Sequence, residues 1–422
     1  MNQINPNEPK MPNKRWDLII IGGGAAGMAA AVAAAEAGDR VLLLEAQEKI
    51  GKKVLASGNG RCNLMNTGAL KYYGNPEFAG QVLNRLPREE LERFFRAHGL
   101  ALASEGERVY PGTFQAQSVL TAFKAFLEML AVDVRCSVRV EAIEKTAGGF
   151  RVRKKEGWDE GARLLIATGG AAQPKLGGNE CGYAFLRRFG HTIHAPFPAL
   201  APIMTDRKGI SGLSGIRARG TISLVHPDGE RRTESGEILF TEYGVSGICA
   251  MQLGRFARPG DRLEIHFLSR WFRDADEARA DIEGRRQVFR RMAPEYLLNG
   301  YVMPKVSFAI CKQAGLAMRG ETIGELTEEQ IRAVCETACR YTLQVQETRG
   351  LSEAQVTAGG ADPEEFDPGT MASKKCPGLY AAGEVLDVDG DCGGFNLMFA
   401  FAGGILAGRN GRKATQKGDD GP

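Results

Sequence analysis

One stretch near the start of the chain restricts the fold more than any other. Residues 17–21 read as a buried strand, Gly22-Gly23-Gly24-Ala25-Ala26-Gly27 spells G-x-G-x-x-G, residues 28–37 read as a helix stopped by Gly38, and residues 40–44 read as a second strand ending on Glu45. Each part of the spacing has a mechanism. Gly22 permits the turn, Gly24 lets the backbone approach a pyrophosphate, and Gly27 lets helix and strand pack closely while the helix N-terminus faces the phosphates. Glu45 follows Gly27 by 18 residues, where its carboxylate can accept from both ribose hydroxyls of an adenosine and would repel a 2'-phosphate. On hydropathy alone the same run imitates a signal peptide or a membrane span, with Lys10, Lys14 and Arg15 ahead of apolar residues 18–35. Three successive glycines suit a turn better than a helix, and Glu36 closes the segment. No other stretch is apolar and long enough to span a bilayer, so no membrane association is expected.

The nucleotide motif does not distinguish FAD from NAD, and three later stretches favour FAD. Residues 164–170, LLIATGG, read as a short buried strand running into paired glycines. In residues 378–407 a strand ends in Gly383-Glu384, and Gly-Gly-Phe-Asn opens an apolar helix near Asn396. Glu384 can accept from a ribityl hydroxyl, and the helix N-terminus suits the flavin edge that gathers negative charge on reduction. Residues 51–66, GKKVLASGNGRCNLMN, read as a loop rich in backbone donors on the cofactor side of the sheet. Cys62 in this loop has no second cysteine nearby, which argues against a redox role.

Composition narrows the partners. With 54 basic and 51 acidic side chains the net charge is +3, so no nucleic-acid partner is expected. The odd count of nine cysteines fits reduced thiols in a cytoplasmic protein. Cys335 and Cys339 lie four apart with no further pair at ligand spacing, so no metal site is assigned.

GGGAAGMAA, LASGNGRCNLMN, ERVYPGTFQAQSV, GGNECGYAFLRRFGH, ILFTEYGVSG, VTAGGADPEEFDPGTMASK and GLYAAGEVLDVDGDCGGFNL together resemble the BaiN/RdsA-type (YhiN-like) family of NAD(P)/FAD-dependent oxidoreductases, over nearly the whole chain. That family is distantly similar to fumarate reductase flavoproteins, with an FAD domain interrupted by an insert. The resemblance implies FAD contacts at Gly22, Gly24, Ala26, Gly27 and Glu45, at Arg61, Cys62 and Asn63 in the loop, and at Val140 near the adenine. It implies more at Ala167, Thr168, Gly169, Gly383, Glu384, Asp391, Gly394, Asn396 and Leu397. The chain departs from the family pattern at Asn59, where a glycine is expected, and at Cys392, where threonine is usual.

The expected fold is α/β: a discontinuous Rossmann-like FAD-binding domain, residues 1–193 and 350–422, with an inserted β-plus-helical substrate or cap domain, residues 194–349. Residues 76–100 and 117–130 have helical spacing, and 133–152 read as paired strands. In the insert, short strands give way to a charged helical stretch up to about residue 349. Its Arg-rich residues 270–291 are interleaved with acids, as on a solvated helix face. The tail from Gly408 reads as polar and disordered.

The expected activity is an FAD-dependent oxidoreductase reducing an unsaturated or carbonyl small molecule, with NAD(P)H as a transient donor, since no second G-x-G-x-x-G follows a strand. An amine-type flavin oxidase using oxygen, and a non-catalytic flavin-bearing protein that binds RNA or another partner, remain open alternatives. None of the five histidines lies in a cofactor motif, so no catalytic acid is assigned. Arg61, Tyr243 and Asn396 are candidates for the substrate side, and neither the substrate nor the oligomeric state is fixed.

Overall fold

The structure, a computed structural model, describes residues 15–318 and 320–410. Lys10, Lys14 and the tail beyond residue 410 lie outside the described residues. The chain divides into two compact units, the first running to Phe197 and resuming at Val356, the second comprising Pro198–Gln355. These borders fall a few residues past 193 and 349, and backbone pairing explains the difference. Strand Ile193–Ala199 pairs with strand Val356–Ala361, whereas the Arg349 and Gln355 amides donate to the carbonyls of Pro202 and Leu200.

In the first unit, β1 (Trp16–Ile21) is paired in parallel with β2 (Val41–Leu44) and with strand Gly157–Ile166. Strand Asp133–Arg135 extends the sheet beyond β2, and Leu379–Ala381 extends it beyond Gly157–Ile166, both in parallel. The fully buried apolar runs Leu18–Ile21 of β1 and Val41–Leu44 of β2 suit a parallel sheet covered on both faces. Residues 133–152 are therefore not one set of paired strands: 133–135 joins the parallel sheet, while Val140–Thr146 and Gly149–Lys154 form an antiparallel hairpin. That hairpin continues onto the first half of Gly157–Ile166, which makes the strand much longer than LLIATGG suggests.

Helix α1 (Ala25–Glu36) is buried through Ala34 and lies against the last helix, Phe395–Arg409. Neither has a polar face, as expected for interior helices. A Cβ on Gly404 would stand 2.2 Å from the Ala26 carbonyl oxygen, and one on Gly408 2.5 Å from that of Ala30. The two backbones touch, which only small residues allow. Gly408 thus belongs to this helix and not to a polar tail, and Arg409 ends it in an ion pair with Glu90. Residues 76–100 form two helices, Pro76–Arg85 and Arg88–Ala97, because Pro87 pushes Leu86 out of the helical region.

The second unit is a closed six-stranded barrel in the order Ile203–Thr205, Gly244–Ser246, Arg231–Phe240, Arg217–Val225, Arg262–His266, Tyr341–Thr348. Ile222 and Leu224, Ile238 and Phe240, Leu263 and Ile265, and Leu343 and Val345 alternate into its core, the period of a strand with one face inward. Helices Ala275–Val288, Pro304–Gln313 and Glu328–Cys339 share that core through Ile282, Ile310 and Val334. The charged helical stretch does not reach residue 349: 341–348 is the strand that closes the barrel. No helix among the described residues is long and apolar enough to cross a membrane.

Candidate cofactor site

The glycine-rich turn is built by close approach. Gly22 has φ +109°, and a Cβ there would lie 2.2 Å from the Ala167 carbonyl oxygen; on Gly27 it would lie 1.9 Å from that of Gly22. Gly24 is different, because a Cβ there would meet nothing within 4 Å. It caps α1 without a side-chain bond, and no acid occupies the first turn, so no side chain satisfies the first N–H groups of the helix, that of Ala26 among them. Glu45 is held in place by two amides, its Oε2 accepting from Gly23 N–H and its Oε1 from Gln47 N–H, each at 2.7 Å. The Val138 amide, two residues before Val140, donates to the Glu45 carbonyl at 2.9 Å. Ala167 donates to the Ile21 carbonyl at 2.9 Å, Thr168 packs on Gly182, and Gly169 again faces open space.

The loop after β2 contains a short helix, Lys52–Ala56, and a 3-10 turn, Ser57–Gly60. Asn59 adopts φ 54°, a left-handed conformation that asparagine tolerates better than most residues, so its departure from glycine preserves the turn. Burial pushes the Cys62 thiol up to about 12, so it is not a thiolate at neutral pH. The Asn63 side-chain oxygen is buried with no hydrogen-bond partner, 3.1 Å from where a Gly394 Cβ would stand. Arg61 is paired with Glu105 at 2.6 Å and lies over the rings of Tyr110 and Phe114, at 4.4 and 4.7 Å.

From the C-terminal part, Gly383 fits between Ala26 and Ala400, 3.1 and 3.6 Å from their Cβ atoms if given its own. The Glu384 carboxylate accepts from Lys53 Nζ at 2.8 Å, from the Thr357 amide at 3.0 Å and from the Thr357 hydroxyl at 2.8 Å. Asp391 is buried and accepts from Tyr73 OH at 3.0 Å. Gly394 caps the last helix with no side-chain bond and no acid in the first turn. The Asn396 amide is used internally, pairing with both backbone groups of Gly390 at 2.8 Å. Asn396, Leu397 and Ala400 are half-buried on a helix otherwise buried along most of its length. The predicted contacts from Gly22 to Leu397 all lie in the first unit, whereas Tyr243 lies in the second, under the guanidinium of Arg349.

These features fit an FAD. The open space at Gly24 and the free amides of α1 would receive a pyrophosphate, and Glu45 a ribose. The orphaned Asn63 oxygen and the uncapped last helix would receive the flavin end. A family model described as the HI0933-like protein Rossmann domain matches residues 16–410. The chain belongs to this family. The HI0933-like chain is a flavin-dependent oxidoreductase, as the motif resemblance implied. Among its relatives, a 3-dehydro-bile acid delta(4,6)-reductase of Clostridium scindens is 36% identical over 92% of this chain and 97% of its own length. A ribosomal RNA dihydrouridine synthase of Escherichia coli is 30% identical over 92% of this chain and 96% of its own. A solved 3-ketosteroid-delta4-(5alpha)-dehydrogenase from Rhodococcus jostii RHA1 shares the fold, with TM-score 0.50, 16% identity, and coverage of 96% and 98% of the two chains.

Two residues of the HI0933-like site escape a motif reading. Lys53 was visible only as one of two loop lysines, and Thr357 only as part of VTAGG. What joins them is a shared carboxylate on Glu384, hundreds of residues from Lys53 in sequence.

Proposed function

We propose that this protein is an FAD-dependent reductase of a carbon–carbon double bond conjugated to a carbonyl, with a reduced nicotinamide as transient donor. The observation that carries the reading is that relatives named for unlike substrates are named for one chemical change. A 3-dehydro-bile acid with a Δ4 bond and a uridine both present C=C next to C=O, and both names describe its saturation. FAD, when bound, would supply the hydride. The chain's own groups would do the rest: α1 and Glu45 would hold the nucleotide, while the uncapped N-terminus at Gly394 would offer partial positive charge to the flavin edge that gathers negative charge. A steroid-like small molecule is the favoured substrate class, on the higher identity of the bile-acid relative. RNA uridine is a second reading, favoured by the Escherichia coli relative. The Arg-rich helix Ala275–Val288 weighs against it, because its arginines are interleaved with acids and Arg285 is paired with Asp281 at 3.0 Å. All nine cysteines are free, which supports a reducing, cytoplasmic setting.

Anaerobic mixing of the purified yellow protein with NADH or NADPH should bleach the flavin, and a 3-oxo-Δ4 steroid should restore its colour. Recovery with unmodified ribosomal RNA but not steroid would select the second reading. No recovery with either acceptor, and rapid recovery with oxygen, would replace both readings with an oxidase.

A further inference from the structure

Three residues beyond Glu384 the chain carries a second carboxylate, and its partner is a histidine. Asp387 Oδ1 accepts the Gly359 N–H at 3.0 Å, and its Oδ2 meets His194 Nδ1 at 2.7 Å. Strand Val356–Ala361 explains why the two carboxylates are neighbours. Its amides at 357 and 359 face one edge, the first donating to Glu384 and the second to Asp387. Residues two apart on a strand are separated by roughly 7 Å, so the histidine–aspartate pair stands about that far along the strand from the carboxylate that binds Lys53.

His194 differs from the histidines that serve packing. The His191 ring is fully buried and bonded at both nitrogens, to Glu365 and to Ser373, each at 2.8 Å. His98 is likewise buried and bonded at both, to the Phe94 carbonyl and to Glu36. The His194 side chain is 49% exposed, and its Nε2 makes no hydrogen bond to the described residues. A carboxylate fixed by a backbone amide thus orients one ring nitrogen and leaves the other without a partner among the described residues, on a half-exposed ring.

Saturating a conjugated double bond requires a hydride at one carbon and a proton at the other, and the proton needs its own donor. We infer that His194 is that donor, with Asp387 holding Nδ1–H so that Nε2–H is presented to the substrate; this rests on the enone-reductase reading above. The balance is complete. The C=C π bond breaks, the hydride from the reduced flavin forms the new C–H bond at the β-carbon, and the displaced electron pair moves toward the carbonyl oxygen. The Nε2–H bond then breaks as a C–H bond forms at the α-carbon. The substrate is reduced by two electrons, the flavin is oxidised by two, and the neutral imidazole regains a proton from solvent.

The test uses holoenzyme reduced with dithionite under anaerobic conditions, then mixed with 4-androstene-3,17-dione or with ribosomal RNA while flavin reoxidation is followed. His194→Gln should keep wild-type flavin content and accept electrons from dithionite, yet be reoxidised by the acceptor roughly 100-fold more slowly. Added imidazole should recover part of that loss, and Asp387→Asn should fall between the two. Independently of turnover, diethyl pyrocarbonate should label His194 in wild-type holoenzyme, and the acceptor should slow the labelling. An acceptor that reoxidises His194→Gln as fast as wild type, or that wild type reduces without any protection of His194, overturns the assignment. Failure of wild type itself to pass electrons to either acceptor overturns the enone-reductase reading, and the proton-donor role with it.

Discussion

Glu45 has one duty in the fold and is proposed to have a second. Its carboxylate fixes Gly23 and Gln47 through their amides, and its remaining lone pairs are those a ribose would use. Glu45→Ala should therefore weaken FAD binding by roughly 1.5 to 3 kcal/mol, about 10- to 100-fold, with a near-normal spectrum in the protein that still holds FAD. Glu45→Gln, which keeps one acceptor oxygen, should lie between. Titration of apoprotein with FAD checks both, and an unchanged affinity would limit Glu45 to shaping its own loop.

Glu365 provides a pH-dependent contact of a different kind. Burial works against its carboxylate, but hydrogen bonds from Lys375, Thr192 and His191 prevail and hold it down at about 2, from 4.5. A lowered carboxyl value favours the ionised form in the fold, so this contribution is complete above about pH 4.5 and is lost as the pH falls toward 2. His191 is lowered from 6.5, chiefly by burial, so its neutral ring is favoured in the fold and stability declines as the pH drops below 6.5. Glu365→Gln should cost about 1.5 to 3 kcal/mol at pH 7, and that difference from wild type should shrink between pH 4.5 and 2 in denaturant unfolding curves. A pH-independent difference would contradict the sign of these shifts.

At the scale of elements, the contact between α1 and the last helix fixes how the two uncapped N-termini proposed to receive FAD are placed. Both helices start at uncapped glycines, and Gly383 is fitted between Ala26 on one and Ala400 on the other. Their separation is set where Gly404 crosses the Ala26 carbonyl, 2.2 Å from where a side chain would begin. Gly404→Ala must push the helices apart, and overpacking of this kind costs about 1 to 3 kcal/mol. The expected result is a lower melting temperature together with reduced FAD content in the purified protein. Loss of stability with full FAD retention would show that the two N-termini are positioned independently.

At the scale of the whole molecule, the chain divides into two compact units, and the proposed cofactor residues fall in one of them. Every proposed cofactor residue lies outside 198–355, and that span closes its own barrel. Replacing residues 198–355 with a short linker should therefore leave a yellow protein that releases FAD on denaturation, and the isolated span should unfold cooperatively. A colourless deletion protein that still shows native-like circular dichroism would mean that the barrel unit contributes to cofactor binding.

The local part of this design was legible in the sequence because it rests on short-range rules. A glycine spacing dictated by a turn, a carboxylate at a strand end and a glycine turn before an apolar helix depend on residues a few positions apart. The corrections came where local pattern and tertiary packing disagree. Residues 341–348 follow a helix and carry charge, but closing the barrel needs a sixth strand. Gly408 is compositionally a tail residue, but close packing on Ala30 makes it helical. Pairings such as Lys53 with Glu384 and His194 with Asp387 left no mark in the sequence, since neither spacing nor composition relates their members. The sequence by itself determined the nucleotide fold and its cofactor motifs. Only the tertiary structure decided which charged groups meet there, because those contacts arise when strands distant along the chain are brought edge to edge.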